Sequence, residues 1–400
     1  MWIPSIAFAI VLEVTRSAAG EPESATAEAV RRGNTAFAVD LYRSVASTPG
    51  NVFFSPLSLS SALAMTYAGA RSETAQQMAR VLHFPPDQEG LHQAFATLTR
   101  DLNARSPDYE LYVANALWGQ RDFTFLEPFL NTLNSHYGAG LGRVDFKADA
   151  ENVRGTINRW VEDKTRDKIK DLIGPGILNA ATRLVLANAV YFRGLWAEQF
   201  KRNKTQDEPF YLSADQTETA PLMSITHTFG YVDGDQFQAL EMPYKGKALS
   251  MVILLPKEKD GLTGFERSLT PERLTEWITG LREQEVVVTI PRFKVTSEFR
   301  LDKTLGAMGM PLAFSDAADF SGMTGKPDLL ISAVLHKAFV DVNEEGTEAA
   351  AATGVVMAPT AMPVPSHPPV FRADHPFLFL IRDGRSNSIL FMGRVANPKA

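Results

Sequence analysis

Catalysis needs nucleophiles, general acids and bases, or metal ligands at workable spacing, and in these 400 residues such groups are scattered. The seven histidines, at 83, 92, 136, 227, 336, 367 and 375, include no pair at the i, i+4 spacing of a helical metal site. Cysteine is absent, which removes thiolate nucleophiles, disulfides and cysteine-based zinc sites together. GxSxG, HExxH and GxxxxGK[ST] are also missing. Gly138-Ala139-Gly140-Leu141-Gly142 is the nearest thing to a phosphate loop, but it follows a helix-like segment rather than a strand and reads as a turn. A Ser-His-Asp triad would have to be assembled by the fold from distant residues. The expectation is a protein with no catalytic residues, no metal site and no cofactor.

One stretch has an unusual pattern. From Val340 to Pro359 the chain reads VDVNEEGTEAAAATGVVMAP. Alanine and glutamate favour helix, so composition alone points to a short solvent-facing helix or a linker. Gly346 and Gly354 leave only seven residues between them, however, and an isolated helix shorter than about 12 residues is marginal in water. Prolines follow at 359, 363, 365, 368 and 369, which makes the continuation extended and unable to donate within a central strand. The whole span is roughly thirty residues, against the ~12–15 that structureless loops usually reach, and loops of that length tend to be functional.

The elements that must carry this loop are mixed. Helical periodicity runs through residues 25–47, 57–69, 72–82 and 150–171, the last with Val153, Ile157, Trp160, Val161, Ile169 and Leu172 on its apolar side. Strand signals stand at 109–120, 183–193, 238–242, 248–255, 285–293, 333–343, 377–382 and 389–395. No internal repeat, heptad run or domain linker interrupts them. A net charge of -6 without a basic run argues against nucleic acid or an anionic membrane as partner, and no apolar stretch reaches the ~18 residues of a membrane span. Residues 1–20 hold an apolar run, Trp2 to Leu12, before Ala18-Ala19-Gly20, and read as a secretory leader lacking a basic start and broken by Glu13. Export to the extracellular space or a periplasm is therefore expected.

Several segments together resemble the serpin family of serine protease inhibitors. They are NVFFSPLSLSSALAMTYAGARSETAQQM from Asn51, LVLANAVYFRGLWAEQF from Leu184, VLHKAFVDVNEEGTEAAAATG from Val334, HPFLFLIRD from His375 and SILFMGRVANP from Ser388. They occur in the family's order and at its separations, across residues 25 to 398. The resemblance implies one α+β serpin domain with three β-sheets, eight or nine helices and an exposed reactive-centre loop at about 344–370. It also implies a suicide-substrate mechanism. The target serine protease attacks the loop, forms a covalent acyl-enzyme, and is trapped when the loop's N-terminal half inserts as a new strand of the central sheet. A monomer needing no cofactor is expected.

Carried onto this sequence, the hinge and inserting strand are Glu345, Gly346, Thr347, Glu348, Ala349, Ala350, Ala351, Ala352, Thr353 and Gly354. An inserting strand alternates its faces, so the inward set is Thr347, Ala349, Ala351 and Thr353, all small, and Glu348 is the only charge. The family's spacing selects Thr360-Ala361 as the reactive bond, with Ala361-Met362 as the alternative register. Cleavage before Pro359 or Pro363 is disfavoured, and the small neutral residues around the bond fit an elastase-like or subtilisin-like enzyme. Ser55, Ser58, Asn188 and His336 match the family's polar cluster beneath the opening of the sheet, and Trp196 matches the tryptophan at its top. A non-inhibitory serpin, acting as a binding or chaperone protein, is the alternative. Its usual sign, bulky or proline residues in the hinge, does not occur between Gly346 and Gly354.

Overall fold

A computed structural model describes residues 25–103, 108–138, 140–347 and 368–400. The leader-like segment and residues 348–367, with both candidate reactive bonds and the hinge from Glu348 to Gly354, lie outside the described residues.

In chain order the first half comprises α1 (Ala25–Val45), β1 (Val52–Phe54), α2 (Pro56–Tyr67), α3 (Ser72–Leu82), α4 (Gln88–Asn103), β2 (Tyr109–Gln120), α5 (Glu127–Tyr137), β3 (Leu141–Val144), α6 (Phe146–Lys164) and β4 (Leu184–Leu195). The second half is richer in strand: β5 (Gln206–Tyr211), β6 (Thr217–Asp233), β7 (Phe237–Pro243), β8 (Leu249–Pro256), α7 (Leu262–Ser268), α8 (Pro271–Thr279), β9 (Arg282–Pro291), β10 (Phe293–Arg300), α9 (Asp302–Met308), α10 (Ser321–Thr324), β11 (Ala333–Asn343), β12 (Gly346–Thr347), β13 (Val370–Arg372), β14 (Phe377–Asp383) and β15 (Ile389–Val395). No described helix is long and apolar enough to cross a membrane.

Six strands form one sheet in the order β10-β11-β12-β4-β2-β3. The other nine form a ladder, β1-β15-β14-β8-β7-β6-β9-β13 with β5 on β6. The 17-residue β6 joins two halves of that ladder, pairing β5 and β9 along its length and β7 only at residues 230–233. With the six-stranded sheet, these halves make up the three sheets that the resemblance implies, in an α+β arrangement.

The six-stranded sheet has an apolar core on each face. Leu184, Leu186, Val190 and Phe192 of β4 join the main core with Val334, Ala338, Val340 and Val342 of β11. The alternate residues Val185, Ala187, Ala189 and Tyr191, with Ala333 and Leu335, pack beneath Val153, Ile157 and Val161 of α6. Burial on both faces explains why residues 184–192 read as a nearly continuous apolar run. Under the inner face lies α2, buried along its whole length. Ser55 caps it by accepting from the Ser58 amide at 3.3 Å, and Pro56 opens its first turn.

Two sequence expectations about elements are corrected. The helix expected over 150–171 is α6, which begins earlier and stops at Lys164. There Thr165 Oγ1 accepts from the Ile169 amide at 3.1 Å, and Arg166 and Asp167 adopt positive φ. Ile169 and Leu172 are still buried, so the apolar spacing continues through a turn. The strand expected over 285–293 is two strands, β9 and β10, broken at Arg292, whose side chain is used elsewhere.

Candidate functional site: the hinge and the sheet it enters

Between β11 and β12 the chain makes a tight turn at Glu344 and Glu345, then folds back between β11 and β4. Those two strands pair directly and in parallel over residues 333–339 and 185–191. Above that stretch β12 is antiparallel to both. Gly346 lies opposite Leu195 and Asn343, and Thr347 opposite Gly194 and Val342. A Cβ at Gly346 would sit 2.1 Å from the Gly194 carbonyl oxygen, and its φ of +153° is one that side chains rarely adopt, so glycine is required there. Thr347 is fully buried, with Oγ1 2.8 Å from the Tyr244 hydroxyl. Tyr244 is itself buried, which pushes its pKa up and keeps it a phenol.

The turn is anchored by charge. Glu344 is buried and accepts from Arg292 Nε at 2.8 and 2.9 Å, from a terminal nitrogen of the same guanidinium, and from Thr205 Oγ1 at 2.5 Å. Burial raises its pKa, but the Arg292 and Thr205 hydrogen bonds outweigh that and hold it below the usual carboxylate range. Glu345 accepts from Arg202 at 2.6 Å. Trp196 stacks on Tyr244 with ring centroids 4.7 Å apart, donates from Nε1 to the Asn343 carbonyl at 3.0 Å, and donates from its amide to the Glu345 carbonyl at 2.9 Å.

Deeper in the sheet, the structure brings Ser55, Ser58, Asn188 and His336 together. Asn188 Nδ2 donates to Ser58 Oγ at 2.6 Å and to Asn115 Oδ1, and its Oδ1 accepts from His336 Nδ1. His336 Nε2 accepts from the Ser55 amide at 3.2 Å, so the hydrogen bonds require the neutral Nδ1–H tautomer. Ser55 Oγ continues to the Leu390 carbonyl at 2.6 Å. Burial pushes the His336 pKa from 6.5 down to about 3. The unfolded chain therefore takes up a proton near pH 6.5 that the native state refuses until about pH 3. Native stability is lost as the pH falls through that window, by at most about 1.4 kcal/mol per pH unit from this residue. His92, lowered to about 4 by burial and the nearby His136, acts in the same direction. Unfolding rates measured from pH 7 to pH 4 check this, and the dependence should flatten in a His336→Gln variant.

Sequence reasoning missed Asn115, Tyr244, Arg292, Arg202 and Thr205. Asn115 left a usable signal: it is a polar residue on the face of β2 that otherwise carries Leu111, Val113 and Leu117, and it lies directly opposite Asn188 in the β2–β4 register. Arg292 follows Pro291 at the strand break, where its backbone leaves the regular pattern. Glu348 to Gly354, Thr360, Ala361 and Met362 receive no placement.

Comparison with known proteins decides what this hinge belongs to. A sequence profile of the family described as serpin, serine protease inhibitor, matches residues 32–398. The chain belongs to the serpin family. A leukocyte elastase inhibitor of Bos taurus is 45% identical over 381 residues, covering 93% of this chain and all of its own. The Homo sapiens protein of the same name is 43% identical over 383 residues, with the same coverage. Among solved structures, Serpin48 of the insect Tenebrio molitor, described as a highly specific serpin, superposes with a TM-score of 0.84 at 33% identity, covering 94% of this chain and 100% of that one. This serpin is accordingly a protease inhibitor and not an enzyme.

Proposed function

We propose that this serpin traps elastase-type serine proteases as covalent acyl-enzymes by inserting residues 348–354 of its cleaved loop between β4 and β11. The observation that carries this reading is the register of β12. Continued by six residues from Thr347, Gly194 and Val342, it takes Thr353 to the level of Asn188 and His336, which are already neighbours across the sheet. Between these ends Ala349 would face Phe192 and Val340, and Ala351 would face Val190 and Ala338, all buried in the main core. On the other face Ala352 and Gly354 would lie beside Ala189 and Ala187, under α6. From Ala349 to Gly354 both faces of the new strand are crowded, so both halves of the alternation must be small there. About ten new ladder hydrogen bonds at roughly 0.5–1.5 kcal/mol each give a driving force on the order of 10 kcal/mol.

The Thr353 hydroxyl would arrive at the Asn188–His336 contact as the strands separate, able to replace the bond they lose. Thr353→Val should leave loop cleavage unchanged and lower the yield of trapped protease about two- to fivefold, a loss of about 0.5–1 kcal/mol. Titration of protease activity against inhibitor measures that yield.

The elastase assignment rests on the names of the relatives and on the small residues around Thr360-Ala361. The reactive bond is Thr360-Ala361, fourteen residues after Gly346, and the inhibitor acts as a monomer. The test is incubation with pancreatic elastase, trypsin and chymotrypsin, followed by denaturing gels and mass spectrometry. The reading expects a complex with elastase that survives SDS, and loop cleavage at Thr360-Ala361; a complex with trypsin alone would overturn the assignment. Export rests on the Trp2–Leu12 run alone, and recovery of the secreted protein with its first twenty residues removed is the expected result in a secreting host.

A further inference from the structure

On the face that α6 covers, three rings stand at one level of neighbouring strands. Tyr112 of β2 is opposite Tyr191 of β4, and Tyr191 is opposite Phe339 of β11. The rings are stacked, with centroids 5.8 and 6.5 Å apart and planes within 12° and 4° of parallel. The first contact lies inside the β2–β4 pair, whereas the second spans the seam at which a new strand would enter. Continued from Thr347, the register of β12 puts Ala350 between Tyr191 and Phe339, and Ala352 between Ala189 and Lys337.

The chain that leaves α6 crosses the seam at this level. Arg166 lies over Tyr112, 4.6 Å from the ring centre, and Lys168 Nζ lies 5.3 Å from the centre of Tyr191. Three residues later the Asp171 carbonyl accepts from Lys337 of β11 at 3.3 Å. The backbone of this turn is unusual: Arg166, Asp167 and Asp171 have φ of +51°, +59° and +48°, a region that residues with a Cβ disfavour. Such a turn persists only where its surroundings hold it. Ile169 and Leu172 are buried beneath it, while Arg166 and Lys168 are exposed and rest their cationic ends on the two tyrosine rings. A cation over an aromatic face is attracted by the ring's quadrupole, and the attraction goes when the two separate.

We propose that Arg166 and Lys168 are positioning residues for insertion, a cationic latch that holds this turn over the path of Ala350 and Ala352 and sets how fast the sheet admits them. The proposal rests on the inhibitory reading, which places the strand that has to pass. For that strand to enter between Tyr191 and Phe339, the segment crossing above them must lift, and both cation–ring contacts are given up as it does. The two tyrosines belong to β2 and β4, which remain paired with each other on the same side of the seam. The contacts therefore re-form when the turn settles on the widened sheet. The latch raises the barrier to entry and leaves the driving force unchanged.

The probe is a fluorescein-labelled synthetic peptide of residues 348–357, EAAAATGVVM, mixed with an excess of the full, uncleaved chain. Fluorescence anisotropy follows its entry into the seam, and a higher thermal midpoint verifies that it has become a strand. Arg166→Met and Lys168→Met keep an apolar side chain and delete the charge. Each should speed annealing about two- to fivefold, and the two together about tenfold. Lys168→Arg, which keeps a cation over the ring, should anneal at the wild-type rate. Lys170→Met, which removes a neighbouring exposed charge, should do the same. The gain in thermal midpoint on annealing should be equal in all of them. A double variant within about twofold of the wild-type rate, or equal acceleration by Lys170→Met, would overturn the latch and leave the insertion reading standing. A wild-type chain that never anneals the peptide would overturn both.

Discussion

Thr347→Arg turns this inhibitor into a substrate of its own target. Thr347 is fully buried, hydrogen-bonded to Tyr244 and flanked across the sheet by Gly194 and Val342, none of which carries charge. A guanidinium there loses its hydration with no counter-ion, at a cost of several kcal/mol. The arginine therefore holds residue 347 out of the sheet and hydrated until the loop is cleaved; with about 3 kcal/mol of that cost falling on the barrier to insertion, insertion slows on the order of 100-fold. Deacylation is the protease's own chemistry and keeps its rate. The acyl-enzyme therefore hydrolyses before the sheet has closed on the loop. The expected result is a ratio of inhibitor consumed to protease trapped that rises from near one to well above ten, with the same bond cut at the same rate. Thr347→Ser, which retains the hydroxyl to Tyr244, should trap normally. Continued trapping by the arginine variant would remove the role given to the inward face of the hinge.

Glu344→Lys is expected to release the hinge before any protease arrives. Glu344 holds the turn between β11 and β12 through Arg292 and Thr205, and its carboxylate is buried, whereas the Arg292 side chain keeps 43% of its surface. That asymmetry sets the magnitudes. In Glu344→Gln the abandoned guanidinium rehydrates, and the loss is about 1.5–3 kcal/mol, the value of charged hydrogen bonds. Lysine adds a buried ammonium facing Arg292, and the loss rises to about 3–5 kcal/mol. Both variants should shorten the half-life of the native state on heating, lysine more, and both should change the fluorescence of Trp196, which donates to the same turn. The pair also predicts a pH dependence. Because the folded pKa of Glu344 is lowered, its contribution is complete above the ordinary carboxylate range and is lost as the pH falls through that range towards the folded value. Glu344→Gln should abolish that part of the acid sensitivity and leave the part due to His336.

The parts of this machinery that were legible in the sequence are those with a local period. α3, β2, β11 and β15 coincide with their expected spans because their apolar residues recur at helical or strand spacing over the whole element. The alternation of the inserting strand was readable for the same reason, since a period of two needs no knowledge of its neighbours. β6 was missed: Met223, Ile225, Phe229 and Tyr231 alternate with small or polar residues, but His227 breaks the run and residues 217–221 carry no such pattern, and there the strand is held by pairing with β5 rather than by propensity. The anchors of the hinge were missed because they come from afar. Glu344 meets Arg292 52 positions away and Thr205 139 away, and Thr347 meets Tyr244 103 away. A pair of glutamates before a glycine reads as solvated charge, and only the fold turns it into the fixed end of a strand.

The central claim is that the cleaved loop becomes a strand between β4 and β11, and thermal unfolding before and after cleavage tests it most directly. The loop is nicked by limited digestion with thermolysin, a metalloprotease that forms no acyl-enzyme to be trapped, the nick is located by mass spectrometry, and the two forms are heated side by side. Insertion worth on the order of 10 kcal/mol predicts that the cleaved protein, a 400-residue chain, unfolds on the order of 10 °C above the intact one. An unchanged or lower midpoint, with the nick beyond Gly354, would mean that the loop stays outside the sheet and would contradict the account.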